Sequence, residues 1–277
     1  MMKKMLAGAA LTALSLNAFA ADYTDGDIHK NDYKWSQFNL MYAYKQLPRA
    51  ESQTHTGHDY MEMEFGGRSG IFDLYGYVDV FNLTNAGQDS SASDKMFMKF
   101  APRISLDALT GKDLSFGPVQ EVYFSTLFNW SGNGVVNDGN FGIGADVMVP
   151  WLGKTGMNLM ASYEIGAEEW DGFHFAMNWF KPFKFFENGS FLSFQGYIDY
   201  EFGIDESYLD FNDDGVMDAQ LKTSSGGDIF LGLYWHSDRY AVGYGLKGFK
   251  DVYGLKDGGA AGDTTGWSHY FAVTYKF

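Results

Sequence analysis

The sequence has no cysteine, only 5 prolines in 277 residues, and few basic side chains. It also lacks any long apolar run after its first 20 residues. The missing cysteines exclude thiolate catalysis, cysteine-ligated zinc and a disulfide framework. With 20 Lys and Arg against 35 Asp and Glu, the net charge is -15, which argues against nucleic acid as a partner because phosphates need a basic surface. A mean hydropathy of -0.24 leaves no room for a bundle of membrane helices, each needing about 20 consecutive apolar residues. What is abundant is glycine, with 34 residues, and aromatic side chains, at 18%. That aromatic content excludes a disordered acidic chain.

The first 20 residues have the organisation of a secretory signal peptide: Lys3 and Lys4, an apolar stretch from Leu6 to Leu16, and the small-residue cleavage site Ala18-Phe19-Ala20. Export is therefore expected, with residues 1–20 removed. Residues 21–33 are expected to form a periplasmic N-terminal segment and residues 34–277 a single folded unit.

From Lys34 onward, apolar residues recur at period 2, not 3.6. In Val119–Trp130 the residues Val122, Phe124, Thr126, Phe128 and Trp130 share one face, and Glu121, Tyr123, Ser125 and Asn129 the other. In Ser190–Phe202, Leu192, Phe194, Ile198, Tyr200 and Phe202 oppose Ser193, Gln195, Tyr197, Asp199 and Glu201. Twelve such segments occur, each of about 9–11 residues, the length of a tilted membrane strand. The expected fold is all-β, a transmembrane antiparallel up-and-down barrel of twelve strands. If the first strand runs outward, short turns lie inside and carry Arg68, Lys112, Lys154, Lys181, Lys184 and Arg239. The outer loops then carry Glu168, Glu169, Asp171, Asp213, Asp214 and Asp257. The final strand presents Trp267, His269, Phe271, Val273, Tyr275 and the terminal Phe277 on one face, the form of strand that the barrel assembly machinery of the outer membrane engages. Closure removes every sheet edge, and lipid covers the apolar faces without a second core. Tryptophans near strand ends (Trp35, Trp130, Trp151, Trp179 and Trp235) are expected to form an interfacial girdle.

Several segments resemble the Tsx/OmpK outer-membrane channel family: Phe72-Asp73-Leu74-Tyr75-Gly76-Tyr77-Val78-Asp79, the run from Phe97 through Ala101-Pro102-Arg103, Asp113-Leu114-Ser115-Phe116-Gly117-Pro118, and Glu169-Trp170-Asp171-Gly172. The similarity is closer to the OmpK branch. It extends through His29-Lys30-Asn31-Asp32-Tyr33-Lys34-Trp35 and Tyr234-Trp235-His236-Ser237-Asp238-Arg239-Tyr240. The resemblance implies a twelve-stranded barrel, passage of nucleosides or similar small solutes, and use of the outer loops as a bacteriophage receptor. The expected surroundings are the lipid bilayer and lipopolysaccharide of a Gram-negative outer membrane, and the expected state is a monomer.

With the apolar faces toward lipid, the lumen receives Glu62, Glu64, Asp73, Tyr75, Tyr77, Asp79, Phe81, Lys99, Arg103, Glu121, Tyr123, Tyr197, Asp199 and Lys247. Arg103 is expected near the level of Asp73 and Glu121, and Lys99 nearer Asp79. Such a lining offers rings on which a base stacks and charged or amide groups for sugar hydroxyls. Weak sites in series suit passage, since a solute must also leave. The alternative is a narrow or closed barrel with a structural or surface-recognition role. One outer loop, Asp210-Phe211-Asn212-Asp213-Asp214-Gly215-Val216-Met217-Asp218, opens like a calcium loop, with Asp210, Asn212, Asp214 and Asp218 as oxygen donors. It has Leu221 where the closing carboxylate belongs, so only weak binding is expected, beside the reading of a solvated acidic turn. No cofactor is otherwise expected. A hydrolase is not expected either: Ser268 and His269 point to opposite faces, and the other histidines have no serine partner at strand spacing.

Overall fold

The computed structural model describes residues 22–49, 57–84, 96–132 and 136–277, so the signal peptide lies outside the described residues. The chain forms β1 (Tyr33–Tyr44), β2 (Gly57–Ser69), β3 (Phe72–Phe81), β4 (Met96–Phe100), β5 (Arg103–Ser105), β6 (Val119–Ser131), β7 (Asn137–Val149) and β8 (Gly153–Glu164). These are followed by β9 (Glu169–Phe185), β10 (Phe191–Phe202), β11 (Ser207–Leu209), β12 (Ala219–Lys222), β13 (Ser225–His236), β14 (Tyr240–Lys250) and β15 (Gly266–Lys276). Each strand of the main sheet pairs antiparallel with its neighbour. β1 also pairs with β15, from Gln37 opposite Lys276 to Tyr44 opposite His269, which closes the barrel. β4 and β5 are two halves of one wall strand, so the barrel has the expected twelve strands. β11 and β12 form a separate hairpin in the outer loop between β10 and β13.

The wall strand breaks where Pro102 has no N–H to give the ladder. The Pro102 carbonyl is still used: it accepts from the N–H and the hydroxyl of Thr126, at 3.1 and 2.8 Å. Polar and apolar surfaces are inverted relative to a water-soluble fold. Leu40, Ile143, Leu233 and Val273 are each more than half exposed. The side chains with the least exposure include Ser105, Ser125, Asn140, Thr155, Ser193 and Ser268. In water so large an apolar exterior would demand a partner. Facing lipid it needs none, and the polar interior is the mark of a membrane barrel.

Several strands are longer than alternation alone suggested. β2 continues through Ser69, so Arg68 lies in the wall and points inward instead of occupying a turn. Gly66 and Gly67 precede it, and two residues without side chains hide the period. Lys154, Lys181 and Lys184 likewise belong to strands. Trp35 is not in the girdle. It shares the inward face of Gln37 and Asn39, with its ring over Gly66 and 6.3 Å from that of Tyr75. On the opposite wall, Tyr234 and Phe230 lie flat over Gly243 and Gly245, where an added Cβ would come within 2.2 Å of each ring. These two glycines hold the rings against the wall and out of the passage.

At the inner end, helix α1 (Leu106–Thr110) fills the long turn between β5 and β6. The Ser105 hydroxyl caps it by accepting from the Ala108 N–H at 3.1 Å, and Gly111 ends it in the left-handed region at φ 63°. The buried Asp107 carboxylate accepts from the N–H groups of Leu114 and Val122, both at 2.9 Å. Burial raises its pKa above the ordinary carboxylate value despite those bonds.

Candidate functional site

Because side chains alternate, every second residue of each strand enters the lumen, and register decides which of them meet. Near the inner mouth the register sets Asp73 opposite Arg103. The guanidinium donates to Asp73 (Nε to Oδ2, 2.8 Å) and to Asp146 at 3.0 Å, and lies 3.9 Å from the centre of the Tyr123 ring. The Tyr123 hydroxyl donates to Asp146 at 3.0 Å, and Lys154 pairs with the same carboxylate at 2.6 Å. Arg68 pairs with Glu121 at 2.7 Å and donates to the Tyr123 hydroxyl at 3.2 Å. Two arginines and a lysine thus meet three carboxylates around one tyrosine. Charge-assisted pairs of this kind fix geometry as well as energy.

Further out, β1, β2 and β3 present amides, carboxylates and rings together. Gln37 and Asn39 donate to Glu64 and Glu62, each at 2.6 Å, and the Tyr75 hydroxyl donates to Glu64 at 2.9 Å. Asp79 faces Glu62 in register and is 8% exposed. Tyr75 and Tyr77 stand 6.2 Å apart, centre to centre, and Phe81 packs 5.7 Å from Tyr60 nearer the outer end. On the facing wall Lys247 pairs with Asp228 at 2.7 Å, and its ammonium lies 5.5 Å from the Tyr197 ring. Tyr197 stacks on Phe230 with centres 5.6 Å apart and planes 12° from parallel.

One ion pair crosses the lumen. Lys99 Nζ lies 2.9 Å from Asp199 Oδ2, although β4 and β10 are separated by β6, β7, β8 and β9 around the wall. His174 Nε2 lies 3.1 Å from the other Asp199 oxygen, and its Nδ1 lies 3.7 Å from Glu201. This cross-bar bridges the lumen between β4 and β10 amid aromatic, carboxylate-bearing walls.

The residues expected in the lumen lie on the strand faces that carry these contacts. Arg103 meets Asp73 as expected, and the Tyr123 ring joins them. Glu121 instead takes Arg68, and Lys99 reaches across to Asp199 instead of toward Asp79. Alternation did not single out Arg68, Asp146, His174 or Asp228. Asp146 follows Gly142 and Gly144 on its inward face, so period 2 is invisible there. Arg68 follows Gly66 on its face in the same way, and the partners of His174 and Asp228 are set by the neighbouring strands β10 and β14.

Two other expectations meet particular geometry. In the acidic outer loop, Asp210 accepts the N–H groups of Asn212, Asp214 and Gly215, and Asp218 accepts that of Phe211. The carboxylates are thereby committed to closing the turn. Among the described residues no cluster of three or more acidic, histidine or cysteine side chains is placed to hold a metal ion. His236 does have a serine partner: Ser193 Oγ lies 2.8 Å from its Nε2. The serine is fully buried, and Nδ1 of the histidine meets no acceptor. The pair therefore lacks the orienting carboxylate of a hydrolytic triad. At the outer rim, Lys222 of β12 ties the hairpin to the barrel through Glu164 and, at 3.1 Å, Asp171. Burial alone would lower the pKa of this ammonium, but the two carboxylates raise it above the ordinary lysine value.

The family model described as nucleoside-specific channel-forming protein, Tsx, matches residues 30–277. Outer membrane protein OmpK of Vibrio parahaemolyticus is 59% identical over 278 residues, with both chains covered in full. The nucleoside-specific channel-forming proteins Tsx of Klebsiella pneumoniae and Klebsiella aerogenes are 31% and 30% identical over 300 and 299 residues, again with full coverage of both chains.

Proposed function

The chain belongs to the Tsx family of channel-forming outer-membrane proteins, and from that premise we propose that it passes nucleosides by selective, passive diffusion. Its family is one of channels, not enzymes, and its place is the outer membrane of a Gram-negative cell. The observation that carries the proposal is the pairing of rings with hydrogen-bonding groups in one tier of the lumen. Tyr75 and Tyr77 stand beside Glu62, Glu64 and Asp79, and Tyr197 on Phe230 stands beside Lys247 and Asp228. A nucleoside has a flat base and a polyhydroxylated sugar. The rings supply stacking surfaces, and the polar groups supply donors and acceptors for the ribose. Most of the lumen charges are paired, so a neutral solute loses little by exchanging water for them.

Base–aromatic stacking contributes about 1–3 kcal/mol per base in nucleic-acid proteins, or about a 5- to 150-fold change in affinity. Tyr77→Ala and Tyr197→Ala should therefore raise the half-saturating concentration for nucleoside uptake into liposomes within that range. Flux of a small sugar, which has no base to stack, should change much less. Unchanged nucleoside uptake in the double variant would sink the stacking reading.

A second reading concerns the outer hairpin. Phe211, Val216 and Met217 are each more than half exposed beyond the barrel, and apolar side chains displayed above a membrane suit docking of a protein such as a bacteriophage adhesin. On this reading Phe211→Ser combined with Met217→Ser abolishes phage adsorption to cells and leaves nucleoside uptake intact. Adsorption equal to that of the parent chain would refute it.

A further inference from the structure

The inner mouth contains a side chain that the barrel itself does not supply. Residues 22–32 precede β1 and run beneath the lumen, and Tyr23 is their one fully buried residue. Its ring lies 5.3 Å from the guanidinium carbon of Arg68, the arginine that holds Glu121 and Tyr123. The Lys30 ammonium lies 5.4 Å from the ring centre. The Tyr23 hydroxyl accepts from the Asn31 amide at 2.9 Å. Burial raises the phenol pKa above its ordinary value, and the phenol feels the charges of Glu121, Arg68 and Lys154, which come from three separate wall strands. Tyr23 is thus fully buried against an inward-pointing arginine of the wall.

The attachment of this segment is slight. Among the described residues, no backbone hydrogen bond joins residues 22–32 to a strand. Beyond the Tyr23 ring, the hold on the barrel is the turn after β2: the Asp32 carboxylate accepts from the Gly70 N–H at 2.8 Å and from the Ser69 hydroxyl at 3.4 Å, and the Ile28 and His29 side chains lie over Gly70. Most other contacts are internal and exposed: Lys30 with Asp25 at 3.0 Å and His29 with Asp32 at 2.9 Å. Exposed pairs of this kind contribute little and weaken in salt. A ring seated on an arginine over a charged throat, carried by a segment so lightly held, is built to leave its seat as a unit.

We propose that residues 22–32 form a displaceable stopper of the inner mouth, with Tyr23 as the plug and Arg68 as its seat. This device is independent of which solute the channel passes, because it blocks small ions as well as nucleosides.

The test is single-channel conductance of the full chain in planar bilayers with potassium chloride, with heat-modifiable migration in gels confirming a folded barrel. Tyr23→Ala, which lies outside the barrel wall, should raise the mean conductance at least threefold. The double variant Asp32→Cys, Ser69→Cys in this cysteine-free chain should fix the segment when oxidised. That form should lose the high-conductance openings of the parent channel and regain them on reduction. Conductance of Tyr23→Ala equal to that of the parent would overturn the proposal. Equal conductance of the oxidised and reduced double variant would overturn its displaceability. A loss of nucleoside selectivity with both of these results intact would bear on the solute reading alone.

Discussion

Lys99→Ala is expected to widen the channel and make it cation-selective. In the parent chain the ammonium spans the lumen to Asp199 at 2.9 Å, and both side chains are only about one-fifth exposed or less, at 17% and 21%. Truncation removes the bar from one side and leaves Asp199 still bonded to His174, with Glu201 close by. The passage then carries uncompensated negative charge at the level of the removed bar, and a ring of carboxylates favours cations. Asp199→Ala should shift selectivity the other way and cost more stability. It strands the Lys99 ammonium inside the barrel, where an unpaired buried charge costs about 3–5 kcal/mol, less whatever water in the lumen returns. The double variant should keep the increased conductance and lose the selectivity, because both charges leave together. Reversal potentials in asymmetric potassium chloride separate these outcomes. A reversal potential and conductance unchanged in Lys99→Ala would mean that the pair does not lie in the ion path.

That cross-bar also shows where sequence reasoning stops. Alternation in Lys95–Ser105 and Ser190–Phe202 is enough to turn Lys99 and Asp199 inward, because one face of each strand must meet lipid. It carries nothing about distance across a closed barrel. The two residues lie 100 positions apart, and their meeting depends on strand number, tilt and stagger acting together. Neighbouring strands are easier, since Arg103 opposite Asp73 follows from one hairpin register. Glycine is the other obstacle. Arg68 follows Gly66 and Gly67, and Asp146 follows Gly142 and Gly144, so at both places the period carrying the charge inward has no side chain to display it. Trp35 misleads for a related reason: a tryptophan near a strand end suits an interfacial girdle, and only the inward partners of Gln37 and Asn39 place it in the lumen. Tyr23 lies outside any strand, so periodicity says nothing of it.

Arg103→Ala is expected to be the most destabilising single change in the barrel wall, at about 3–5 kcal/mol, the usual cost of breaking a buried ion pair from one side. Its guanidinium serves two carboxylates and a ring at once. Asp146 would keep Lys154 and the Tyr123 hydroxyl, whereas Asp73 would keep only the Tyr33 hydroxyl at 3.3 Å. Arg103→Lys should recover part of the loss, because an ammonium restores charge but neither the planar fork nor the stacking on Tyr123. Replacing Arg103 and its otherwise unpaired partner together, with Arg103→Met and Asp73→Asn, should be far milder than the alanine variant, since Asp146 keeps Lys154 and no carboxylate is then left alone. Guanidinium titration of the barrel refolded in vesicles, followed by tryptophan fluorescence, measures the series. An alanine variant as stable as the Arg103→Met, Asp73→Asn double variant would remove the argument. The site is sensitive because of the backbone around it. β5 is only 3 residues long, Pro102 has already broken the ladder before it, and only two of its residues pair with β3. In most of the wall a longer main-chain ladder fastens one strand to the next. At β5 the Arg103 side chain makes up for the missing rungs and reaches past β6 to Asp146 on β7, so its loss should loosen the inner rim before the rest of the barrel.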